Sequence, residues 1–361
     1  MRLAVAHDWL VSYAGSERVV EEILRLHPDS RLLTTLLEPG GLPPSLRMAQ
    51  PSFLQHLPGA AHHHEWLLPA MPLAWALRRP VEDVDAVVSS SHACAKAVRV
   101  GAGIPHLCYC HTPMRYAWDF DSEQQRFPPM TRPPARLLMS WFRRWDRATA
   151  ARVDVFVANS SAVANRIQQF YGRQARVIFP PVRTEEFTPE GERTDTFLYV
   201  GRLTGYKRPD LVVDAFAGLD QQLVVVGEGQ LGRRLRERAT PNVTFVGAVD
   251  RETLLRLYRS SRALVFPVDE DFGIAMAEAQ ACGTPVIGLD RGGARDIVAD
   301  GITGWLVDRP TVGDVRDAVR HAATEDLDTA EIRQRALRFS DSRFRDEIAQ
   351  AVDELVETRR R

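Results

Sequence analysis

Four charged residues in the second half of the chain have the types and the spacing to do chemistry. Arg202 and Lys207 stand five apart in GRLTGYK, directly after the apolar run Phe197 to Val200. A guanidinium offers a fork of donors and an ammonium a point charge, and together they suit a diphosphate. Glu270 and Glu278 stand eight apart in VFPVDEDFGIAMAEAQACGTPVI. Between them Phe272-Gly273-Ile274 opens a small-residue helix, so one acid precedes the helix start and the other lies inside it. The free N–H groups and positive dipole end of that start make an anion site. The plainer reading of such acids is helix capping, worth about 0.3–1 kcal/mol. Glu278, inside the helix, is in no position to cap it.

The first half offers His111 in HLCYCHTPMRYAWD. An apolar strand delivers His111-Thr112-Pro113 to its carboxyl end, where an open α/β sheet binds its ligands. Histidine titrates near neutral pH, although a structural histidine at a strand end is the alternative. Arg115, Tyr116 and Trp118 follow and could line a sugar or acceptor site. Gly15, between the strand Leu3 to Ala6 and a helix running to about His27, can bring backbone N–H groups to a phosphate. It reads equally well as a turn glycine, with Ser16 as an N-cap.

A rival comes from Gly227-Glu228-Gly229-Gln230-Leu231-Gly232, which matches G-x-G-x-x-G after a strand over 222–226. Asp250 is expected to end the next strand, close to the offset of a dinucleotide fingerprint. Taken alone, this argues for a dehydrogenase. A tight glycine turn also suits a nucleobase or ribose, and Arg202, Lys207, Glu270 and Glu278 have no role in hydride transfer. Asp250 could read a base instead: a carboxylate accepts from the N1 and N2 hydrogens of guanine, which uracil lacks. Asp83-Val84-Asp85 has the form of a metal–diphosphate site but precedes an apolar strand, where such acids sit at the surface.

The elements that must hold these residues alternate. Strands are expected over 31–37, 84–90, 155–160, 176–179 and 197–200, with helices over 161–171 and 209–217. A charged amphipathic helix covers 341–359. The pattern is α/β, and 361 residues suggest two domains. Pro180-Pro181 marks a hinge and 191–195 a polar linker, which divides the chain into 1–180 and 181–340. A net charge of −1 gives no basic field for nucleic acid. No run of about 18 apolar residues predicts a membrane span. Four cysteines without a CxxC pair, and no signal-peptide pattern, fit a reduced cytoplasmic setting. Two stretches stay open. Residues 51–80, with Trp66, Trp75 and a His62-His63-His64 run that lacks metal spacing, are either a packed lid over an acceptor cleft or a bilayer-surface patch. Residues 134–151 form a basic amphipathic helix that packs by its Arg stems or touches anionic lipid at the inner face of the cell membrane.

The stretch from Glu270 to Glu278, with Phe272-Gly273-Ile274 and Gly283-Thr284-Pro285 at its flanks, resembles the E-x7-E signature of the retaining glycosyltransferases of family 4 (group 1). Arg202 and Lys207 fall where that family carries its own Arg and Lys. HTPMRYAWD is similar to the subgroup that transfers mannose or deoxyhexoses from GDP-sugars. The resemblance implies a GT-B fold: two Rossmann-like domains with parallel sheets facing across a cleft, and the terminal helix 341–361 crossing back onto the first. It implies hexose transfer with retention from a nucleotide sugar to a glycan, lipid-linked or small-molecule hydroxyl, as in polysaccharide biosynthesis, without a cofactor or metal. Arg202, Lys207 and Gly15 would bind the diphosphate, and Phe272, Gly273 and Ile274 the donor sugar. Glu278, Gly227 and Asp250 would bind the nucleoside, and Arg115 and Tyr116 would lie on the acceptor side. His111 and Glu270 would be catalytic. Ala14 replaces the first glycine of the family's Gly-Gly-x-Glu, which weakens the case for Gly15. A sugar-nucleotide epimerase or hydrolase, or a binding protein without turnover, remains open on the same residues. Retaining hydrolases use two carboxylates about 5–5.5 Å apart. No such pair is legible, so front-face departure is the expected mechanism.

Overall fold

The computed structural model describes residues 1–120 and 132–360. The chain forms two compact units, Met1–Pro181 with Phe344–Arg361, and Val182–Arg343. Among the described residues no helix is long and apolar enough to cross a membrane.

The first unit is built on a six-stranded parallel sheet: β1 (Leu3–His7), β2 (Arg31–Thr34), β3 (Ala86–Ser91), β4 (His106–Cys110), β5 (Val155–Ala158) and β6 (Ala175–Val177). Their spatial order is β2-β1-β3-β4-β5-β6. The pleat sends alternate side chains to opposite faces. Leu3, Val5, Val88 and Tyr109 meet Val19, Val20 and Ile23 of the Gly15–Leu26 helix, and Phe344, Ile348 and Val352 of the terminal Asp341–Arg360 helix. Ala4, Ala6 and Val87 face the other way, onto Met71, Trp75, Met114 and Phe142. With both faces covered, the strands are continuous apolar runs. Connections leave β1 toward β2 on one side and β3 on the other, so the topological switch lies between β1 and β3.

The second unit carries β7 (Phe197–Val200), β8 (Leu223–Val226), β9 (Val243–Gly247), β10 (Leu264–Phe266), β11 (Val286–Leu289) and β12 (Gly304–Val307). Their order is β12-β11-β10-β7-β8-β9, all parallel. This is the Rossmann order, with its switch between β7 and β10.

Several elements are shorter than their sequence pattern. β2 stops at Thr34 rather than 37, because the next residue, Thr35, turns its N–H to Asp8 O at 3.1 Å. β5 stops at Ala158 because Ser160 is an N-cap, accepting from Val163 N–H at 3.1 Å. Asp250 does not end a strand: β9 finishes at Gly247, and Asp250 caps the Arg251–Ser260 helix.

The two open stretches both contribute to the core. Trp75 and Phe142 are fully buried, whereas Trp66 is 84% and Leu137 75% exposed. The first stretch forms two short 3-10 segments, Phe53–His56 and His64–Ala70, and the six-residue helix Met71–Ala76, with Pro69 and Pro72 barring a longer helix.

Candidate functional site

The second unit gathers its charges at the switch between β7 and β10. The chain leaves β7 through Gly201 and Arg202 into a short turn, Gly205–Lys207, whose last carbonyl accepts from Tyr199 O–H at 3.1 Å. Burial pushes the Tyr199 hydroxyl well up, so it stays a donor. Lys207 Nζ lies 2.5 Å from Glu270 Oε1, with each side chain about one-sixth exposed. The ammonium also sits 5.3 Å from the Phe266 ring and 5.5 Å from the Tyr206 ring. Arg202, exposed, donates to the Tyr206 hydroxyl. Arg202, Tyr206, Lys207 and Glu270 therefore form one connected group at the carboxyl edge of the sheet.

Close backbone crossings hold that group. A Cβ on Gly227 would stand 2.0 Å from Gly201 O, and one on Gly229 2.5 Å from Leu203 O. Both glycines have positive φ, 126° and 157°. The two loops also exchange hydrogen bonds, Leu203 N–H to Glu228 O at 2.8 Å and Leu231 N–H to Leu203 O at 3.0 Å. Two of the fingerprint glycines thus make room for the Arg202 loop, which accounts for them without a pyrophosphate. On the other flank, Gly293 N–H donates to Glu270 O at 2.8 Å. A Cβ on Gly293 would meet Phe272 O at 2.1 Å. Gly292-Gly293 escaped the sequence reading; a glycine pair directly after β11 was the available signal.

The signature helix runs Ile274–Ala281, with Gly273 at its N-cap at φ 97°. Phe272 itself is buried, its ring 5.4 Å from Phe339, so its ring is not a sugar contact and it offers backbone only. Glu278 lies a turn inside the helix and accepts from Tyr258 O–H at 3.2 Å. Burial raises the Tyr258 hydroxyl and keeps that donor protonated. Asp250 is exposed and accepts from Thr253 N–H at 2.8 Å, which holds its carboxyl below the usual range.

The first unit has a second gathering, at the switch between β1 and β3, and most of it was invisible in sequence. His7 ends β1, with Nε2 3.4 Å from Glu17 Oε1. Its Nδ1 lies 3.0 Å from Ser90 O and 3.1 Å from Ser90 Oγ. Ser90 Oγ is in turn 2.8 Å from His111 Nε2. Glu17 also reaches back to accept from Ala14 N–H at 2.9 Å, half of a capping box. The N-cap is therefore Ala14 rather than Ser16, and Gly15 is the first helical residue. Asp8 accepts four backbone N–H groups, from His92 (2.7 Å), Ala93 (2.9 Å), Cys94 (2.5 Å) and Ala95 (2.6 Å).

Charge follows from that geometry. Burial alone would lower His7, but the hydrogen bond and charge of Glu17 outweigh it and raise its pKa. Burial alone would raise Glu17, and the bond and charge of His7 pull it down to about 2. For His111, burial and then the neighbouring His92 and His7 all push the same way, down to about 3.

Behind His111, Arg115 and Tyr116 are half-buried on the short Arg115–Trp118 helix. That helix is tied down by Trp118 Nε1–H to Asp146 Oδ2 at 2.7 Å. Tyr171 O–H donates to the same oxygen at 2.7 Å, and Lys96 pairs with Asp146.

Comparison with known proteins agrees with this architecture. Residues 13–186 match the family described as Glycosyltransferase Family 4, and residues 183–338 match Glycosyl transferases group 1. The D-inositol 3-phosphate glycosyltransferase of Kribbella flavida is 32% identical over 227 residues, 54% of this chain and 52% of its own. That of Geodermatophilus obscurus is 32% identical over 248 residues, 59% of this chain and 55% of its own. The chain thus spans about half the length of the curated relatives it matches. Among solved structures, the sucrose-phosphate synthase of Thermosynechococcus elongatus has a TM-score of 0.72 at 19% identity, covering 99% of this chain and 100% of its own. Anabaena HepE in complex with UDP-glucose has 0.70 at 17%, covering 98% and 100%. The fold is GT-B, and the two family matches together run from residue 13 to residue 338.

Proposed function

We propose that the protein is a retaining hexosyltransferase that moves mannose or a related deoxyhexose from a GDP-sugar to an acceptor hydroxyl. The observation that carries this reading is the Lys207–Glu270 pair at a Rossmann switch point with Arg202 beside it. Such a switch point is where this sheet type binds nucleotides. Two cations there suit the charge that builds on a leaving diphosphate, typically the largest electrostatic contribution in such a reaction. Glu270 would hold sugar hydroxyls and Glu278 the ribose. The start of the Ile274–Ala281 helix, and Gly15 in the first unit, would give backbone donors to phosphate or sugar. His111 would face the transferred sugar, with Arg115 and Tyr116 toward the acceptor. The leaving phosphate would take the acceptor proton on the same face of the sugar, so the reaction needs neither a protein nucleophile nor a metal.

The donor base rests on HTPMRYAWD and on Asp250 as a partner for guanine. A UDP-hexose is the second reading, favoured by the Anabaena structure in complex with UDP-glucose. The name of the curated relatives makes an inositol phosphate the first acceptor to try, before glycan and lipid-linked hydroxyls. Exposed Trp66, Leu137 and Trp141 would favour contact with a lipid surface if the acceptor is lipid-linked.

The test is release of GDP or UDP from their sugars with and without acceptor, in EDTA. Acceptor-dependent release of GDP is expected. Release without acceptor would indicate a hydrolase, and no release a binding protein. Trapping a covalent sugar on Glu270 would overturn front-face departure.

A further inference from the structure

The network around His111 has a direction. His7 Nδ1 lies 3.0 Å from the Ser90 carbonyl, which can only accept, so Nδ1 carries a proton. His7 Nε2 faces the Glu17 carboxylate, which also only accepts, so Nε2 carries one too. His7 is therefore an imidazolium between two acceptors, and its Nδ1–H also points at Ser90 Oγ, 3.1 Å away. A hydroxyl has one proton and two lone pairs; the arrangement that uses the proton as well has Ser90 receive from His7 and donate to His111 Nε2 at 2.8 Å. In that arrangement Nε2 accepts and has no proton, so a neutral His111 ring would carry its hydrogen on Nδ1.

We propose that Glu17, His7 and Ser90 are positioning residues that fix His111 as a neutral ring protonated on Nδ1. His111 then enters the reaction as a hydrogen-bond donor and not as a base. The second statement rests on the transferase reading; the first does not. Among the surroundings, burial, His92 and His7 favour the neutral ring and outweigh the acids Glu17 and Asp8, which oppose it. His92 and Tyr109 lie edge-on to His111, with ring centroids at 6.2 and 5.2 Å. Asp8 is the other nearby acid, and its carboxylate is already occupied by four backbone N–H groups. The nearest ionised group along the chain of hydrogen bonds is cationic His7, which opposes a second positive charge on His111. A donor ring fits front-face departure, in which the leaving phosphate, not a side chain, collects the acceptor proton.

The experiment is ring nitrogen NMR of the ligand-free full chain, with His111 assigned through His111→Asn. The expected spectrum shows protonated Nδ1 and bare Nε2 from pH 8 down to about pH 4. Ser90→Ala should mix the tautomers and move the titration up by about one unit. Glu17→Gln should make His7 titrate lower, by removing the partner that keeps it charged. A wild-type ring protonated on Nε2, or one titrating near 6.5, would overturn the proposal. So would a His111 titration unmoved by Ser90→Ala, or a His7 titration unmoved by Glu17→Gln. Turnover supplies the second arm. Asparagine keeps an N–H close to the Nδ1 position, so His111→Asn should stay within about tenfold of wild type, while His111→Ala loses about a hundredfold. Equal losses in the two variants would contradict the donor role. The spectrum reads the ring whatever the protein catalyses: absent turnover with the expected spectrum counts against the transferase reading alone.

Discussion

The switch points of the two sheets occupy equivalent places in their folds and are built in opposite ways. In the first unit His7, Asp8, Glu17 and Ser90 are all buried and satisfied by one another or by backbone. In the second, Arg202 is exposed and the Lys207–Glu270 pair keeps about one-sixth of each side chain in solvent. The contrast separates two uses of charge. Buried, fully bonded groups set the state of a neighbour, here His111. An exposed guanidinium, and an ammonium held by one carboxylate and two aromatic rings with part of its surface in solvent, keep capacity for a ligand, because their donors are not exhausted.

If the first unit's charges are structural and the second's are for ligand, substitutions should divide accordingly. The largest effect is expected at Asp146, the buried carboxylate that receives Lys96, Trp118 and Tyr171. Asp146→Ala leaves a buried ammonium unpaired and should cost about 3–5 kcal/mol in urea unfolding. A cost below about 1 kcal/mol would break the comparison on the structural side. Next come Lys207→Ala and Arg202→Ala, each expected to lower turnover by about 10²–10³-fold. Chemical unfolding of Arg202→Ala should stay within about 1 kcal/mol of wild type, since an exposed side chain contributes little, whereas Lys207→Ala breaks a mostly buried pair and should cost more.

The third effect is on pH. Glu17 has its pKa pulled down to about 2 from 4.5, so its contribution is present above 4.5 and lost as pH falls toward 2. His7 is raised above 6.5, so its contribution is full below 6.5 and lost as pH rises through the raised value. Unfolding midpoints should therefore decline on both sides of a weakly acidic window, and Glu17→Gln should flatten both limbs. An unchanged profile in the variant would remove the pair from the account. Smallest is Asp250→Ala, which loses an exposed N-cap and should lower the melting temperature only slightly. If Asp250 reads guanine, the variant also loses its preference for GDP over UDP; a preserved preference would leave Asp250 as a cap alone.

The sequence was informative where chemistry follows from local spacing. The α/β alternation and the E-x7-E stretch pointed to GT-B, and the loop carrying Arg202 and Lys207 leaves β7 as expected. It was uninformative where residues far apart converge. Nothing local links Ser90 to His7 or His111, 83 and 21 residues away. Parallel pairing of β1 with β3 and β3 with β4 creates that cluster. The glycine fingerprint has a related origin: Gly227 answers to Gly201 on a neighbouring strand's loop, a contact that has no sequence signature. Asp250 was misassigned to a strand end because the turn after Gly247 shifts it onto the next helix.

The central claim is that a nucleoside diphosphate binds at the second unit's switch point through Lys207 and Arg202. Calorimetric titration of GDP into wild type, Lys207→Ala and Arg202→Ala tests it most directly. Binding to wild type, weakened about tenfold or more by either substitution with both variants still cooperatively folded, is the result the account predicts. Equal affinity in all three proteins would contradict it.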